Sequence, residues 1–465
     1  MKINNFELVK KDEAQWLLKK DYSGEDIYVF ALENLLQQIE EDVFIQARNV
    51  AQLPGLAGPV CLMPDAHSGY GAPIGTVFAM KEEEGYVVPG AVGYDINCGM
   101  RLIITNLTFE EVSPFLEKLV NFLFEYIPAG VGRRGFLKIN KNELKKIAEE
   151  GVNYLVKEKG IGWKEDIEKI EEKGEILGAD FSCVSYEAIE RGINQLATLG
   201  SGNHYLEVQK VEEIFDEKQA KKLGVFAKNQ ITIMIHCGSR GFGHQICSDY
   251  LRIFEKHLGD YRLKINDRQL ACLPINSTYG RQYLKAMACA ANFAFVNREA
   301  ITYQVRKAFE KIFTKNVSNL GLNLVYDVAH NIAKKEIHSG KNVLIHRKGA
   351  TRSYPNQPVI IGGSMETGSY LLLGTESALK KSYGSTAHGS GRTMSRAKAK
   401  KMIHGQKLWQ KMKKEGIYVK SASFSGLAEE AGFAYKNISD VVKSIDKAGL
   451  SKPIAYFKPL GNIKG

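Results

Sequence analysis

The chain has 465 residues, 44% of them hydrophobic and 25% charged, which is typical of a globular protein and excludes a disordered or fibrous one. Its 63 lysines and arginines exceed its 52 aspartates and glutamates by 11. This excess suggests an anionic partner, nucleic acid first, but a basic protein without such a partner is about equally consistent with it. The sequence has no run of about 18 apolar residues, so we expect no membrane span. The first residues have no apolar core of a signal peptide. The seven cysteines are scattered, which is not typical of a disulfide framework. We therefore expect a cytoplasmic protein with no membrane association.

Predicted strands and helices are mixed along the chain. Helical periodicity marks residues 111–127, 283–315 and 395–415. Runs rich in β-branched residues predict buried strands at 231–237, 322–330 and 341–346. The segment 138–177 is dense in lysine and glutamate, which predicts a charged, solvated helical excursion. Because no repeat, linker or shift in composition divides the chain, we expect a single α/β catalytic domain over residues 1–465.

Five of the ten histidines lie at the ends of apolar runs or in glycine-rich turns, where α/β proteins place ligands and catalytic groups. They are His67, His204, His236, His330 and His388. One such histidine is more often a hydrogen-bonded structural residue, but five in the same setting indicate a site. We assign to the surface those with lysine and glutamate neighbours: His257, His338 and His404.

The stretch GYDINCGMR (93–101) places Asp95 and Cys98 three residues apart among glycines. With His204, His236 and His330 they offer carboxylate, thiolate and imidazole ligands. This mixed set suits Mn, Zn, Fe or Co and not an isolated Mg²⁺ or Ca²⁺. A thiolate can bridge two metals, and metal pairs recur in phosphoryl-transfer enzymes. The alternative for Cys98 is a small buried apolar residue.

Glycine and basic residues accompany the histidines, and such turns can cradle phosphate with their backbone N–H groups. The candidates for contact with nucleic-acid phosphate are Arg240, Lys348, Arg392 and Arg396, with Arg347 and Arg352 beside them. Each of these side chains can instead belong to a structural ion pair. The segment GVGRRG (130–135) follows a helical stretch, which argues against a dinucleotide-binding turn but leaves Arg133 and Arg134 as candidate phosphate contacts. The chain contains neither a P-loop nor the K-x-D-G of lysine-dependent ligases.

Eight motifs, in order from about Cys61 to Gly465, resemble the RtcB family of RNA ligases. They are MPDAHSGYGAPIGTVFA, VVPGAVGYDINCGMRL, TLGSGNHYLEV, IHCGSRGFGHQI, DVAHN, HRKGATR, GSTAHGSGRTMSR and KPLGNIKG. The resemblance implies the family's α/β sandwich with a dinuclear metal site at its centre. It implies two Mn²⁺ ions bridged by Cys98, one of them ligated by Asp95. The family's histidine-ligand positions fall on His204, His236 and His330.

The resemblance also implies that His388, in HGSGR, takes GMP from GTP, and imidazole is a competent nucleophile toward phosphorus. It implies a guanylate pocket formed by Asn203, Glu207, His330, Asn331, Gly363, Ser364, Met365, Ser369, His388, Gly389, Gly391, Tyr435 and Lys464. The implied reaction opens a 2′,3′-cyclic phosphate to a 3′-phosphate, passes GMP to it, and joins it to a 5′-hydroxyl with loss of GMP. The implied partners are broken or spliced RNA, including tRNA, together with GTP and an archease-like activator of a monomeric enzyme.

This chain departs from the family pattern near the expected nucleotide site. It has HGSGR where familiar members have HGAGR, and GSMET where they have GSMGT, with Glu366 in place of glycine. The sequence between HRKGATR and GGSM is also short. These departures favour a divergent, bacterial-type paralogue for RNA repair with altered guanylate contacts or substrate choice. Two other classes stay open: a metal-dependent phosphohydrolase of RNA ends that needs no GTP, and a non-catalytic RNA-binding protein.

Overall fold

The structure is a computed structural model that describes residues 1–3 and 5–465. Its strands are β1 (Lys2–Ile3), β2 (Phe6–Asp12), β3 (Gln15–Leu18), β4 (Ile27–Val29), β5 (Val60–His67), β6 (Ile74–Lys81), β7 (Tyr86–Val87), β8 (Gly99–Thr108), β9 (Tyr205–Ile214), β10 (Gln230–Cys237), β11 (Leu273–Pro274), β12 (Asn323–Ala329), β13 (Asn331–His338), β14 (Lys341–Lys348), β15 (Ala350–Arg352), β16 (Pro358–Gly362), β17 (Ser369–Gly374), β18 (Ser385–Ala387), β19 (Tyr418–Ser421) and β20 (Ser451–Lys464). Its α-helices are α1 (Glu33–Leu36), α2 (Glu41–Ala51), α3 (Phe109–Val112), α4 (Leu116–Tyr126), α5 (Lys141–Glu150), α6 (Val152–Lys159), α7 (Lys164–Ile167), α8 (Tyr186–Gln195), α9 (Glu217–Lys222), α10 (Arg240–His257), α11 (Thr278–Phe313), α12 (Val317–Leu320), α13 (Glu376–Ser382), α14 (Arg396–Met402), α15 (Gly405–Lys414), α16 (Phe424–Glu429) and α17 (Ile438–Lys447).

Two eight-stranded sheets form the β framework. The first has the order β1-β2-β3-β4-β5-β6-β14-β13, and the second has the order β12-β8-β10-β9-β20-β17-β16 with β19 paired to β20. All of these pairings are antiparallel except β4 with β5 and β19 with β20. Mixed sheets with surrounding helices confirm the predicted α/β class.

One edge of the second sheet gathers the predicted ligands. Strand β8 begins at Gly99, which pairs with Cys237 at the end of β10 and with Ala329 at the end of β12. Strand β9 begins at Tyr205, which pairs with His236 of β10. Because antiparallel neighbours start and end at the same edge, the residues beside these pairs meet there although they are far apart in sequence. They are Cys98, His204, His236 and His330.

The longest helix, α11, supports this sheet from the helical layer. It runs for 36 residues, roughly 54 Å, and is buried along most of its length. Ser277 caps its first turn, with its hydroxyl accepting a hydrogen bond from the Gly280 N–H. An alanine-rich stretch, ACAANFAFVNREA (288–300), lets the helix approach its neighbours closely.

The sequence predictions for local structure are largely confirmed, with three differences. The predicted helix 395–415 is two helices, because Ile403 and His404 adopt extended backbone between α14 and α15. The segment 138–177 is helical but does not project as an excursion, since Leu144 and Ile147 of α5 are buried and α5 packs against α11. His338 lies on strand β13 and not on a surface helix; it is buried and bonded to Glu336.

None of the helices in the described part of the chain is both long enough and apolar enough to cross a membrane.

Candidate metal centre and active site

A tight turn carries Asp95 and Cys98 into the site. The Cys98 N–H donates to the Asp95 carbonyl at 3.0 Å, while Asn97 between them has a positive φ of 54°. Asparagine is among the few residues that tolerate this left-handed conformation. The buried Asn97 is anchored by its own N–H, which donates to the Asn331 carbonyl, and by its side-chain amide, which donates to Ala291.

The five predicted ligands form two groups of three that share Cys98. The groups are Asp95, Cys98 and His204, and Cys98, His236 and His330, with the donor atoms of each group within 4.8 Å of one another. Cys98 Sγ lies 3.3 Å from His204 Nε2 and 3.2 Å from His236 Nε2. His236 Nε2 lies 3.3 Å from His330 Nε2, and Asp95 Oδ2 lies 2.7 Å from His204 Nε2. A single thiol between two ligand groups is the geometry that a bridging sulfur requires.

The histidine nitrogens that face this centre are available as ligands. His236 Nδ1 lies 3.0 Å from the Asn203 carbonyl, which can only accept, so the hydrogen is on Nδ1 and the Nε2 lone pair faces Cys98. Burial lowers the pKa of His236 well below its usual value, and the charge of His204 adds to this. Burial, followed by His388 and His236, likewise lowers the pKa of His330. Two neutral imidazoles that meet through Nε2 at 3.3 Å can both turn a lone pair toward a shared cation.

The acidic ligands have opposite pKa shifts. Burial, reinforced by Asp95, raises the pKa of the Cys98 thiol to about 12, so a metal must displace its proton. Burial opposes ionisation of Asp95, but His204 outweighs it, followed by His244 and Arg240, and lowers the pKa of Asp95. These residues fit a pair of transition metals, because thiolate, imidazole and carboxylate donors converge within bonding reach of two neighbouring positions.

Buried Arg298 ties together the strands that carry the ligands. Its Nη1 donates to the carbonyls of Asn97 and Cys237, each at 2.8 Å. Its Nε and Nη2 bind Asp327 of β12. A side chain at position 99 would clash with it, because a Cβ on Gly99 would lie 3.0 Å from its Cζ. One guanidinium therefore fixes the ends of β8, β10 and β12 relative to one another.

His388 follows strand β18 and faces the same centre. Its ring centroid lies 4.8 Å from that of His330. Fully buried Asp65 holds it, since Asp65 Oδ2 accepts the backbone N–H groups of His388 and Gly389 at 3.1 Å and lies 2.6 Å from the His388 ring Nδ1. With Nδ1 beside the Asp65 carboxylate, Nε2 is the ring nitrogen that is free of this contact.

These groups open into one cavity of about 730 Å³, within the range of small-molecule sites. All five of the junction histidines selected from the sequence line it. So do most of the expected guanylate-pocket residues: Asn203, His330, Asn331, Gly363, Ser364, Met365, His388, Gly389, Gly391, Tyr435 and Lys464. Glu207 and Ser369 lie behind the lining, where Gln209 Nε2 donates to both side chains. Burial raises the pKa of Glu207 to about 8.

Buried Glu430 organises another part of the cavity wall. It accepts hydrogen bonds from the Tyr435 hydroxyl and from Arg392 Nη1, and it lies 3.4 Å from Lys464 Nζ. Lys464 Nζ also donates to the Gly202 carbonyl at 3.2 Å. The C-terminal lysine is therefore fixed in the wall of the cavity, and not frayed.

Comparison with known proteins identifies the family. The profile of the RtcB family, described as "tRNA-splicing ligase RtcB", matches residues 46–465.

The chain belongs to the RtcB family.

Similar relatives extend over nearly its whole length. It is 47% identical to the tRNA-splicing ligase RtcB of Nanoarchaeum equitans, over 99% of this chain and 100% of that protein. It is 48% identical to the protein of the same name from Methanococcus maripaludis, over 94% of each chain. The corresponding protein of Archaeoglobus fulgidus is 46% identical, over 98% of this chain and 99% of its own. The resemblance inferred from the motifs is thus confirmed.

Within this RtcB-family site, the basic residues predicted to contact phosphate differ in how free their side chains are. Arg240, whose Nη1 lies 2.9 Å from His204 Nδ1, and Arg396, whose side chain is 51% exposed, both line the cavity. Arg392 lines it too, but Glu430, the Tyr435 hydroxyl and two backbone carbonyls occupy its guanidinium. Both Arg133 and Arg134 are exposed.

Lys348, a predicted contact of RNA phosphate, also lines the cavity. Its ammonium is buried and donates to the carbonyls of Tyr70, Ala72 and Gly90, which leaves no hydrogen for a phosphate. Burial lowers the pKa of Lys348 to about 7. The neighbouring Arg347 and Arg352 are committed to structural ion pairs with the carboxylates of Glu336, Glu171 and Glu172.

The structure also corrects the expected effect of Glu366. Its side chain is almost buried and turns away from the cavity, with Oε1 2.6 Å from Lys411 Nζ and Oε2 accepting from the Gly432 N–H. It is not part of the cavity lining. The carboxylate therefore links the Ser364–Thr367 turn to α15 and to the loop before Tyr435, and does not add a charge to the nucleotide region.

Sequence reasoning missed two residues of the site. Asp65 stands inside the quoted motif MPDAHSGYG, so a carboxylate next to His67 was a usable signal. Glu430 lies in LAEEAGFAY, which reads as the charged end of an ordinary helix and gives no such signal.

Proposed function

We propose that the protein is a GTP-dependent RNA ligase that joins 2′,3′-cyclic phosphate or 3′-phosphate RNA ends to 5′-hydroxyl ends. The observation that carries this proposal is one cavity in which two ligand groups share Cys98 and His388 stands beside His330. The names of the relatives, each a tRNA-splicing ligase, support the same activity. A hydrolase would have no use for a held histidine nucleophile next to a pocket of nucleotide size.

Two Mn²⁺ ions are the proposed metals. Asp95, Cys98 and His204 would hold one, and Cys98, His236 and His330 would hold the other. When bound, such a pair neutralises charge on phosphate oxygens during transfer. The chain's own contribution is to fix five donors on strand ends that Arg298 already holds in place.

His388 is the proposed nucleophile. Its Nε2 lone pair attacks the α-phosphorus of GTP, the bond to the leaving pyrophosphate breaks, and a phosphoramidate forms. The imidazole becomes cationic in this step, and the Asp65 carboxylate on Nδ1 stabilises that charge. In the next step an oxygen of the RNA 3′-phosphate attacks the same phosphorus, and the electron pair of the P–N bond returns to Nε2.

The RNA ends complete the proposed reaction. Water first opens a cyclic phosphate to a 3′-phosphate, which then receives GMP from His388. The 5′-hydroxyl attacks the activated phosphate, the new phosphodiester forms, and GMP leaves. Arg240 and Arg396 are placed to hold RNA phosphates, because both line the cavity and the side chain of Arg396 is half exposed.

We assign the base of the nucleotide to the part of the cavity built around Glu430, Tyr435 and Lys464. These three side chains are mutually bonded and present a fixed set of donors and acceptors. Among physiological RNAs we favour tRNA halves over general repair, since the Glu366 departure does not enter the cavity and the similar archaeal relatives are named for tRNA splicing.

The test is incubation with α-labelled GTP and Mn²⁺. We expect a protein–GMP adduct that is labile in acid and stable in alkali, because protonation of a phosphoramidate nitrogen makes imidazole a good leaving group. His388→Ala should give no adduct while it still binds metal. A suitable control is His257→Ala, which removes a histidine of α10 that neither lines the cavity nor belongs to a ligand group. An adduct in His388→Ala, or GTP-independent hydrolysis of RNA ends by the wild type, would overturn the mechanism.

A further inference from the structure

The positive charge of this protein is concentrated in one short segment. Residues 396–414 contain eight lysines and arginines and no aspartate or glutamate. In the rest of the chain the other 55 basic residues exceed the 52 acidic ones by only three. This segment comprises α14, α15 and the turn between them, and we call it the basic rim.

Most of these charges face solvent without a partner. Within the part of the chain that the structure describes, ion pairs in the basic rim involve only Arg396, Lys400 and Lys411. The other five basic side chains are exposed and unpaired: Lys398, Lys401, Lys407, Lys413 and Lys414. Like charges held close together destabilise a surface unless an anion binds there.

The basic rim adjoins the mouth of the active-site cavity. Arg396, its first residue, lines the cavity, and Glu429 and Glu430 hold α14 through Arg396 and Lys400. Glu366, which flanks cavity-lining Met365, pairs with Lys411 of α15. Carboxylates beside the cavity therefore fix both helices in position.

Exposed aromatic rings accompany these lysines. Phe433 is 41% exposed and lies two residues before Tyr435, a lining residue of the cavity. Phe424, which begins α16, is 54% exposed, and its carbonyl packs against Gly405 at the start of α15. Surfaces for single-stranded nucleic acid combine basic side chains for the backbone with aromatic faces for the bases.

We propose that the basic rim, with Phe433 and Phe424, is the surface that binds the single-stranded RNA leading into the active site. The lysines bind successive phosphates, and the phenylalanines stack against bases. This inference rests on the proposed function for the identity of the polymer, but it assigns a binding surface outside the cavity and outside the guanylylation step.

The test compares two sets of variants for their affinity for a fluorescent single-stranded RNA that carries a 3′-phosphate, measured over a range of KCl concentrations. Each phosphate contact contributes roughly 0.7 to the slope of log affinity against log salt. Lys398→Gln/Lys401→Gln/Lys407→Gln should therefore lower the slope by about 2. Phe433→Ala should weaken binding roughly tenfold with an unchanged slope, because stacking is not ionic.

The matched controls come from residues 218–228, outside the basic rim. Lys218, Lys222 and Lys228 are exposed, make no ion pair in the described structure, and do not line the cavity. Phe226, between them, is 58% exposed. The triple glutamine variant of these lysines and Phe226→Ala should both bind RNA as the wild type does. Equal effects of rim and control variants, or no effect of either, would overturn the proposal.

The amount of GMP adduct separates this proposal from the proposed function. Guanylylation involves no RNA, so the rim variants should form the adduct at the wild-type rate. If the wild type forms no adduct but its RNA binding depends on the basic rim, the ligase mechanism fails and the RNA surface stands. If the adduct forms but the rim variants bind RNA as the wild type does, the ligase mechanism stands and the proposed RNA-binding surface is wrong.

Discussion

At the residue scale, the group that contacts one ring nitrogen of His388 or His236 determines which nitrogen faces the cavity. Asp65 occupies Nδ1 of His388 and leaves Nε2 free, and the Asn203 carbonyl does the same for the metal-facing His236. Orientation by a second group is how buried imidazoles acquire a defined tautomer and direction. The supporting residues therefore affect the proposed chemistry as strongly as the histidines themselves.

Asp65→Asn tests this orientation. All three contacts of Asp65 with His388 and Gly389 use one oxygen, so an amide of the same shape can keep the geometry and lose only the charge. We expect the fold and the bound metal to be retained. Adduct formation in single turnover should slow by roughly 10²–10⁴-fold, as when a triad aspartate loses its charge. A rate within twofold of wild type would remove Asp65 from the mechanism.

Cys98→Ala tests the shared ligand. Cys98 is the only member common to both ligand groups, and without its thiolate two cations at short range repel each other. We expect fewer than two tightly bound Mn²⁺ per chain by elemental analysis, and no adduct, with the far-ultraviolet circular dichroism unchanged. As a control, Cys272→Ala removes another buried cysteine that belongs to neither ligand group. Two tightly bound ions in Cys98→Ala would refute the bridging role.

At the scale of secondary-structure elements, the candidate metal centre lies where the ends of β8, β9, β10 and β12 meet. Strands β8, β10 and β12 converge at Gly99, and Arg298 of α11 binds the carbonyls of Asn97 and Cys237 together with Asp327. The helix thus sets the spacing of the ligands before any metal arrives. Removing one partner of a buried ion pair typically costs about 3–5 kcal/mol, because the other charge stays buried and unpaired.

Arg298→Met should therefore lower the free energy of unfolding by about 3–5 kcal/mol and weaken Mn²⁺ binding. Adding Asp327→Leu should recover little of the stability, because buried Arg101, whose Nε donates to Asp327 Oδ2 at 2.7 Å, then loses that partner. It should not recover the metal affinity, since the carbonyls of Asn97 and Cys237 still lack their donor. Denaturant unfolding and Mn²⁺ titration measure the two effects.

Arg306→Met is the matched control for that experiment. Arg306 is equally buried on α11, but it binds Asp166 and the Leu322 carbonyl, away from the ligands. Arg306→Met should destabilise the protein and leave its Mn²⁺ affinity near the wild-type value. Parallel loss of metal binding in both variants would show that Arg298 acts through general stability alone.

At the scale of the whole molecule, the two sheets and the helical layer bring the ligands to one cavity. The ligands sit on strand ends whose backbone bonds and buried ion pairs are complete by themselves. The molecule also has an uneven charge distribution, with its positive excess beside the cavity mouth. A stable framework with a charged entrance suits a long anionic substrate.

Metal removal should therefore leave the fold intact. After chelation we expect unchanged secondary structure by circular dichroism and a cooperative thermal transition. Because a ligand that binds only the native state stabilises it by mass action, about 2.7 kcal/mol at 100 times Kd, adding Mn²⁺ should raise Tm by an amount that grows with its concentration. Loss of secondary structure on chelation would show instead that the metals organise the sheet edge.

The sequence by itself determined the chemistry and the local structure. Donor type and motif order predicted Asp95, Cys98 and the histidines as a metal set and His388 as a nucleophile, and hydrophobic patterns located β10, β12, β14 and α11. These properties depend on residue identity and on neighbours within a few positions, which a single sequence records directly. The match of motifs in order also identified the family before any fold was known.

Only the tertiary structure decided which side chains can reach a ligand in the cavity. Lys348 ends strand β14, where a phosphate ligand is expected, yet three carbonyls from distant parts of the chain accept all of its hydrogens. Glu366 pairs with Lys411 instead of lining the cavity, and Glu430 pairs with Lys464 in the cavity wall. Burial, register and long-range partners depend on residues hundreds of positions apart. No local pattern in the sequence contains that information.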